Sequence, residues 1–185
     1  MKKPSDQNLS PSTKANSSAL SGALSGLSFD TPPHVLILEA RFYDEINDLL
    51  LAGAQKFLED AGCSYEVITV PGALELPSAL NFAATAAFTL EHDEFAYDAY
   101  VVLGCVIRGE TTHYELVSEN CVRGIMDVSL GQNLAVGNGV LTVENVEQAM
   151  ERADPERLNK GAGAAEAALR MLKIAQKFGV SSWGM

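Results

Sequence analysis

Arg108-Gly109-Glu110-Thr111-Thr112-His113 follows directly on an apolar run, Tyr100 to Ile107. A buried strand that ends by delivering polar groups to a turn is how open α/β sheets build their sites. Gly109 permits close backbone approach, and Glu110, Thr111 and Thr112 open a helix whose free N–H groups and dipole favour an anion. A phosphate is the matching guest, and the Thr111 hydroxyl adds a donor. His113, in the first helical turn, is within reach of chemistry anchored by that phosphate, and histidine is the side chain suited to proton transfer near neutral pH. Plainer readings stand beside this one. A histidine in a first turn is commonly a surface residue, and Thr111 with Thr112 suits an N-cap and its neighbour.

Other polar residues follow other apolar runs. Arg41-Phe42-Tyr43 comes after His34 to Ala40, Pro71-Gly72-Ala73-Leu74-Glu75 after Ser64 to Val70, and Thr142-Val143-Glu144-Asn145 after Leu134 to Leu141. Glu75 suits three roles: general base, hydrogen-bond acceptor for a ligand, or carboxylate at a helix start. Arg152, Arg157 and Lys160 offer cations for a phosphate, or ordinary surface charge near a helix end. Cys105 reads as packing, because no histidine or cation precedes it to lower its pKa. His34, at a strand entry, and His92, in the acidic run Glu91 to Glu94, have weaker cases for chemistry.

The elements that must position these residues alternate. The first strand (His34 to Ala40) leads to a helix over Tyr43 to Gly62, whose apolar residues Ile46, Leu49, Leu50, Ala54, Phe57 and Leu58 recur at helical spacing. Gly62 suits its C-terminus. The second strand (Ser64 to Val70) precedes a helix over Ala73 to Thr89. The third (Tyr97 to Ile107) is almost wholly apolar, hence central and covered on both faces. Helix then spans Thr112 to Leu130, strand four Leu134 to Leu141, and helices Val146 to Arg152 and Gly161 to Phe178. This alternation predicts right-handed βαβ units. The fold class is α/β, a flavodoxin-like three-layer α/β/α sandwich on a four- or five-stranded parallel sheet. No dinucleotide fingerprint or P-loop motif occurs.

At 185 residues and 47% hydrophobic content the chain supports one well-buried core. Residues 1–30, rich in Ser, Gly and Ala, read as a flexible tail, and residues 31–185 as a single domain. A net charge of -11 argues against nucleic acid and anionic membrane as partners. An anionic substrate then needs a local basic site. Three cysteines at unpatterned spacings, with neither a spanning run nor a signal peptide, point to reduced thiols in a cytoplasmic protein.

Four segments taken together go further. Val70 to Pro77 (VPGALELP), Gly104 to Glu115 (GCVIRGETTHYE), Gly137 to Ala153 (GNGVLTVENVEQAMERA) and Asn159 to Leu169 (NKGAGAAEAAL) resemble the ordered signature segments of lumazine synthases, over about His34 to Phe178. The resemblance implies homopentamers with active sites between neighbouring subunits and no metal or organic cofactor. It implies small-molecule partners: 5-amino-6-(ribitylamino)uracil and 3,4-dihydroxy-2-butanone 4-phosphate, condensed to 6,7-dimethyl-8-ribityllumazine, phosphate and water. By the family's pattern His113 is the acid/base group. Glu110, Thr111 and Arg152 hold the phosphate, with Lys160 near it and Arg152 supplied by the adjacent subunit. Phe42 stacks on the pyrimidine; Ala73, Leu74 and Glu75 line the ribityl and ring pocket; Cys105, Val106 and Ile107 read the pyrimidine edge through backbone groups.

Three positions depart from that pattern. Tyr43 stands where asparagine often follows the stacking aromatic. Asn138, placed with the substrate-binding set, stands where many members carry an aromatic, and Gly163 where a carboxylate often follows the Asn-Lys-Gly run. The glycine and alanine richness there has a second reading in close helix packing. These departures motivate one rival, a catalytically weak lumazine- or flavin-binding or regulatory paralogue, and cage assembly of pentamers motivates another, a structural shell.

Overall fold

The computed structural model describes residue 22, residues 24–89 and residues 96–180. His92 and its acidic neighbours, and most of the N-terminal segment, lie outside the described residues. Four strands, β1 (His34–Ala40), β2 (Ser64–Val70), β3 (Ala99–Ile107) and β4 (Val136–Val143), form one sheet. All pairings are parallel, in the order β2-β1-β3-β4. Five helices connect or follow them: α1 (Asp44–Asp60), α2 (Leu76–Thr89), α3 (His113–Gly131), α4 (Val146–Ala153) and α5 (Lys160–Lys177). This is the three-layer flavodoxin-like arrangement, with the sheet reversing direction of growth between β1 and β3.

Side-chain alternation along β1 divides the core. Val35 and Ile37 face a cluster built with α1, α4 and α5, while Leu36, Leu38 and Ala40 face one built with α2 and α3. Both faces are covered, which is why β1 and β3 carry apolar residues on both faces instead of alternating with polar ones, Glu39 near the end of β1 excepted. Small residues let the layers approach closely. A Cβ on Gly161 would sit 1.9 Å from the Leu50 carbonyl oxygen, and one on Gly137 1.8 Å from that of Ala164. Close packing thus accounts for Gly161, Ala164, Ala165 and Ala168 on the inner face of α5. It does not account for Gly163, where an added Cβ would meet nothing within 4 Å.

Several boundaries differ from expectation, the start of β3 at Ala99 instead of Tyr97 among them. Ala73–Glu75 is a separate 3-10 turn, and α2 begins at Leu76, because Pro77 fits the first turn of a helix, where its missing N–H costs nothing. Strand β4 lies two residues later than expected. Asn133, at φ 54, turns the chain out of α3 and Leu134 N–H closes on the Ser129 carbonyl, while Thr142 and Val143 continue the ladder opposite Val106 and Ile107. Packing also starts before Thr31: Leu27 is buried, and Leu24 and Phe29 lie against the α1/α5 cluster. Among the described residues no helix is long and apolar enough to cross a membrane.

Candidate active site

The register brings Ala40, Val70, Ile107 and Val143 to one edge of the sheet, and the loops after them build the site. A pocket of about 320 Å³ opens there, within the range of small-molecule sites. From the β1 loop come Phe42 and Tyr43, from the β2 loop Gly72, Ala73, Leu74 and Glu75, and from β3 itself Cys105, Val106 and Ile107. Gly109, Thr111, His113, Tyr114 and Val117 close the far wall. Nine residues singled out in the sequence for catalysis, substrate or phosphate binding therefore meet in one cavity.

Each wall has a local cause. Phe42 is 69% exposed, its ring in edge contact with Tyr43 at a centroid separation of 5.0 Å. Glu75 sits in the 3-10 turn with a carboxylate oxygen 3.1 Å from where a Gly72 side chain would begin, so a larger residue at 72 would crowd it. Cys105 is buried, and burial pushes its thiol up to about 12; it stays protonated and acts as packing. The third loop reaches α3 without a side-chain cap: Thr112 takes the N-cap position with no side-chain hydrogen bond. The Thr111 hydroxyl receives only a long bond, 3.4 Å, from the His113 backbone N–H. Thr111 and His113 line the cavity where α3 begins. An added Cβ on Gly109 would meet nothing within 4 Å, leaving that approach open. Glu110 is exposed and does not line the pocket.

Arg108, the cation nearest this loop, is engaged elsewhere. Its guanidinium bonds Glu115 and, at 2.7 Å, Glu144, and it lies 4.1 Å over the Tyr114 ring. Hydrogen bonding to Glu115 raises the Arg108 pKa, and the same contact lowers that of Glu115. Arg108 braces the β3 loop against the end of β4 and start of α3; it is not free for an anion.

The remaining expected residues sit apart from His113. Asn138, Arg152 and Lys160 share a second concavity of about 400 Å³ with Thr142 and Gly163, beside the edge strand β4. No residue lines both concavities. Arg152 donates to the Gln148 carbonyl at 3.0 Å, and neither it nor Lys160 is ion-paired among the described residues. Arg157, the alternative phosphate ligand, is tied to Glu151 and Asp154. Asn159 aims Lys160 into this concavity: it adopts a left-handed conformation, φ 45, and its side chain accepts the Ala162 N–H at 3.2 Å. The Asn138 side-chain oxygen accepts the Val140 N–H at 2.9 Å, which covers part of an otherwise open sheet edge. Two cations without an ion-pair partner among the described residues thus line one concavity of an acidic chain.

Comparison with known proteins settles the kinship. The sequence pattern of the family described as 6,7-dimethyl-8-ribityllumazine synthase matches residues 32–176. The chain belongs to the 6,7-dimethyl-8-ribityllumazine synthase family. It is 54% identical over 147 residues to the 6,7-dimethyl-8-ribityllumazine synthase of Bartonella tribocorum, covering 80% of this chain and 93% of that one. To the synthase of Bartonella bacilliformis it is 55% identical over 148 residues, 80% and 93% of the two chains. For that of Sphingopyxis alaskensis the figures are 54% over 147 residues, 80% and 98%. Every residue lining either concavity falls inside the lumazine synthase match.

Sequence reasoning named Gly72 only as part of the loop after β2 and missed Tyr114 and Val117 as lining residues. Their signal was helical and turn geometry: Tyr114 and Val117 lie one and four positions after His113 on α3, and Gly72 precedes the turn that carries Glu75.

Proposed function

We propose that this lumazine synthase family member condenses 5-amino-6-(ribitylamino)uracil with 3,4-dihydroxy-2-butanone 4-phosphate, forming 6,7-dimethyl-8-ribityllumazine, phosphate and water. The observation that carries the reading is one cavity joining an exposed aromatic face, Phe42, to backbone groups at the end of β3 and to Thr111 and His113. The pyrimidine stacks on Phe42 and is read by the strand end, with Ala73, Leu74 and Glu75 along its ribityl chain. The aryl amine attacks the ketone and loses water, and a proton leaves the adjacent carbon as phosphate departs. The second amine then closes the ring with loss of a further water. His113 moves these protons, a contribution of roughly 10²–10⁴-fold. Holding the two reactants side by side supplies more of the gain.

The phosphate needs a cation that the His113 pocket lacks. Arg152 and Lys160 are available in the other concavity, and a cyclic homo-oligomer supplies them in trans: the His113 pocket of one subunit closes on the Arg152 concavity of the next. The assembly proposed is a homopentamer, acting in the cytoplasm. The test of function is absorbance at the lumazine band after mixing protein with both substrates, beside a protein-free control. Acceleration over the spontaneous condensation, with phosphate released only when the pyrimidine is present, is the expected result. A folded oligomer giving no acceleration would overturn it.

A further inference from the structure

We infer that Glu39 is a positioning residue for the reaction: through Arg41 it fixes the backbone that carries Phe42 at the mouth of the pocket. The inference rests on the reading that Phe42 takes the pyrimidine, and concerns what holds that ring in place.

Glu39 is the next-to-last residue of β1 and is 2% exposed, one of two polar residues in the buried set. It lies on the sheet face of Val35 and Ile37, opposite Thr69 on β2 and Leu103 on β3. An aliphatic side chain would serve packing at such a place without the cost of desolvating a carboxylate. That cost is not fully offset locally, because one carboxylate oxygen is buried without a hydrogen-bond partner among the described residues. The other oxygen shows what the group is for. It accepts from the Thr69 hydroxyl at 2.8 Å and from an Arg41 terminal nitrogen at 3.3 Å.

Arg41 extends the link outward. Its Nε bonds Asp44 at 3.2 Å and its other terminal nitrogen bonds Asp48, so one planar fork joins the end of β1 to the first two turns of α1. Phe42 is in the chain bridged by that fork. Its two flanks are pinned again through backbone: Arg41 N–H donates to the Val70 carbonyl at 3.1 Å, and the buried Asn47 side chain donates to the Tyr43 carbonyl at 2.9 Å. The Phe42 ring, by contrast, is mostly exposed and has one ring contact among the described residues. Packing cannot set the position of a ring with so little to pack against. Its backbone must, and Glu39 is the buried end of what holds that backbone. A lysine at 41 could not reproduce the arrangement, since a single ammonium cannot span three carboxylates in a fixed plane.

The test is steady-state kinetics on the full-length protein with both natural substrates, for Phe42→Ala, Arg41→Lys, Glu39→Gln and the two pairs with Phe42→Ala. Arg41→Lys and Glu39→Gln are expected to raise KM for the pyrimidine about tenfold, with kcat and the butanone phosphate KM changed less than about twofold. In the Phe42→Ala background each is expected to add less than about twofold, because the ring through which they act is gone. If Phe42→Ala weakens the pyrimidine and the other two do not, the inference falls and the pocket reading stands. If Phe42→Ala has no effect, the stacking role falls and the inference with it. Equal effects of Arg41→Lys with and without Phe42 would mean that the network serves the fold alone, which also overturns the proposal. Should Glu39→Gln fail to fold, Arg41→Lys decides, since Arg41 lies outside the buried set.

Discussion

His113 stands exposed at the start of α3, with Thr111 before it and Tyr114 and Val117 on the same wall. Replacing it with alanine should lower kcat by roughly 10²–10⁴-fold while leaving pyrimidine affinity near normal, read by single-turnover absorbance and by titration of the pyrimidine alone. Arg152→Ala should instead raise KM for the butanone phosphate about tenfold to a hundredfold, the effect of removing a charge-assisted bond of about 1.5–3 kcal/mol. Normal kinetics in both variants would remove both roles. The three cysteines make a separate prediction. All are buried and free, and burial pushes the Cys63 and Cys121 thiols up to about 11 and that of Cys105 to about 12, from an ordinary value of about 9. Because folding raises these values, the stability they contribute is complete below pH about 9 and is lost as pH rises through the folded values. Urea melts should therefore weaken between about pH 9 and 12, each thiol contributing on the order of 1 kcal/mol per pH unit. Replacing Cys121 with alanine or valine should flatten that decline by its share, and an unchanged slope would refute the assignment. At this scale residue type and spacing placed Thr111 and His113 together at the start of α3, whereas the stacking role of Phe42 came only from the family resemblance. Glu39 was not legible, because a lone acid in an apolar strand gives no sign of which arginine it will meet.

Elements were legible wherever one physical signal dominated. Strand β3 announced itself by an unbroken apolar run, and α1 by periodicity with acids in its first turn and Gly62, φ 75, after its end. The start of α2 was misplaced because alanine-rich sequence favours helix throughout, while Pro77 alone decided where the helix could begin. Helix α5 shows why composition is a poor guide to cause. Its glycines look alike in sequence, yet Gly161 is pressed against α1 and Gly163 faces open space. Gly161→Val should cost about 3 kcal/mol or more, since the new side chain meets backbone that cannot yield without separating α1 from α5. Gly163→Ala should instead stabilise by about 0.5–1 kcal/mol through helix propensity. Thermal melts of the two variants should move in opposite directions. A drop in both would mean that α5 is packed on a face the single chain leaves open.

For the whole molecule, the central fact is that two separate concavities lie on one chain. A sheet of order β2-β1-β3-β4 puts the His113 pocket above β1, β2 and β3 and leaves Arg152 and Lys160 beside the edge strand β4. Residue spacing could reveal both sets of residues, but their separation was implied only by the family resemblance, since separation is a property of topology and not of spacing. The head-to-tail ring proposed above would join them, because such an interface sets one surface of a subunit against a different surface of the next. Mixed rings of two impaired variants, assayed at butanone phosphate well below the raised KM, test this directly. His113→Ala keeps Arg152, and Arg152→Ala keeps His113, so an interface formed by the two in the right order carries one intact site. Unfolding and refolding an equal mixture should restore activity at about a quarter of the interfaces, the fraction expected for random order around a ring. Each variant refolded alone should stay at its own low rate, and light scattering should report the same mass throughout. Full independence of the two variants, with no recovery in the mixture, would show that each chain completes its site by itself and would remove the need for the ring. Recovery near a quarter would show that the reaction belongs to pairs of neighbours, which makes assembly a condition of catalysis.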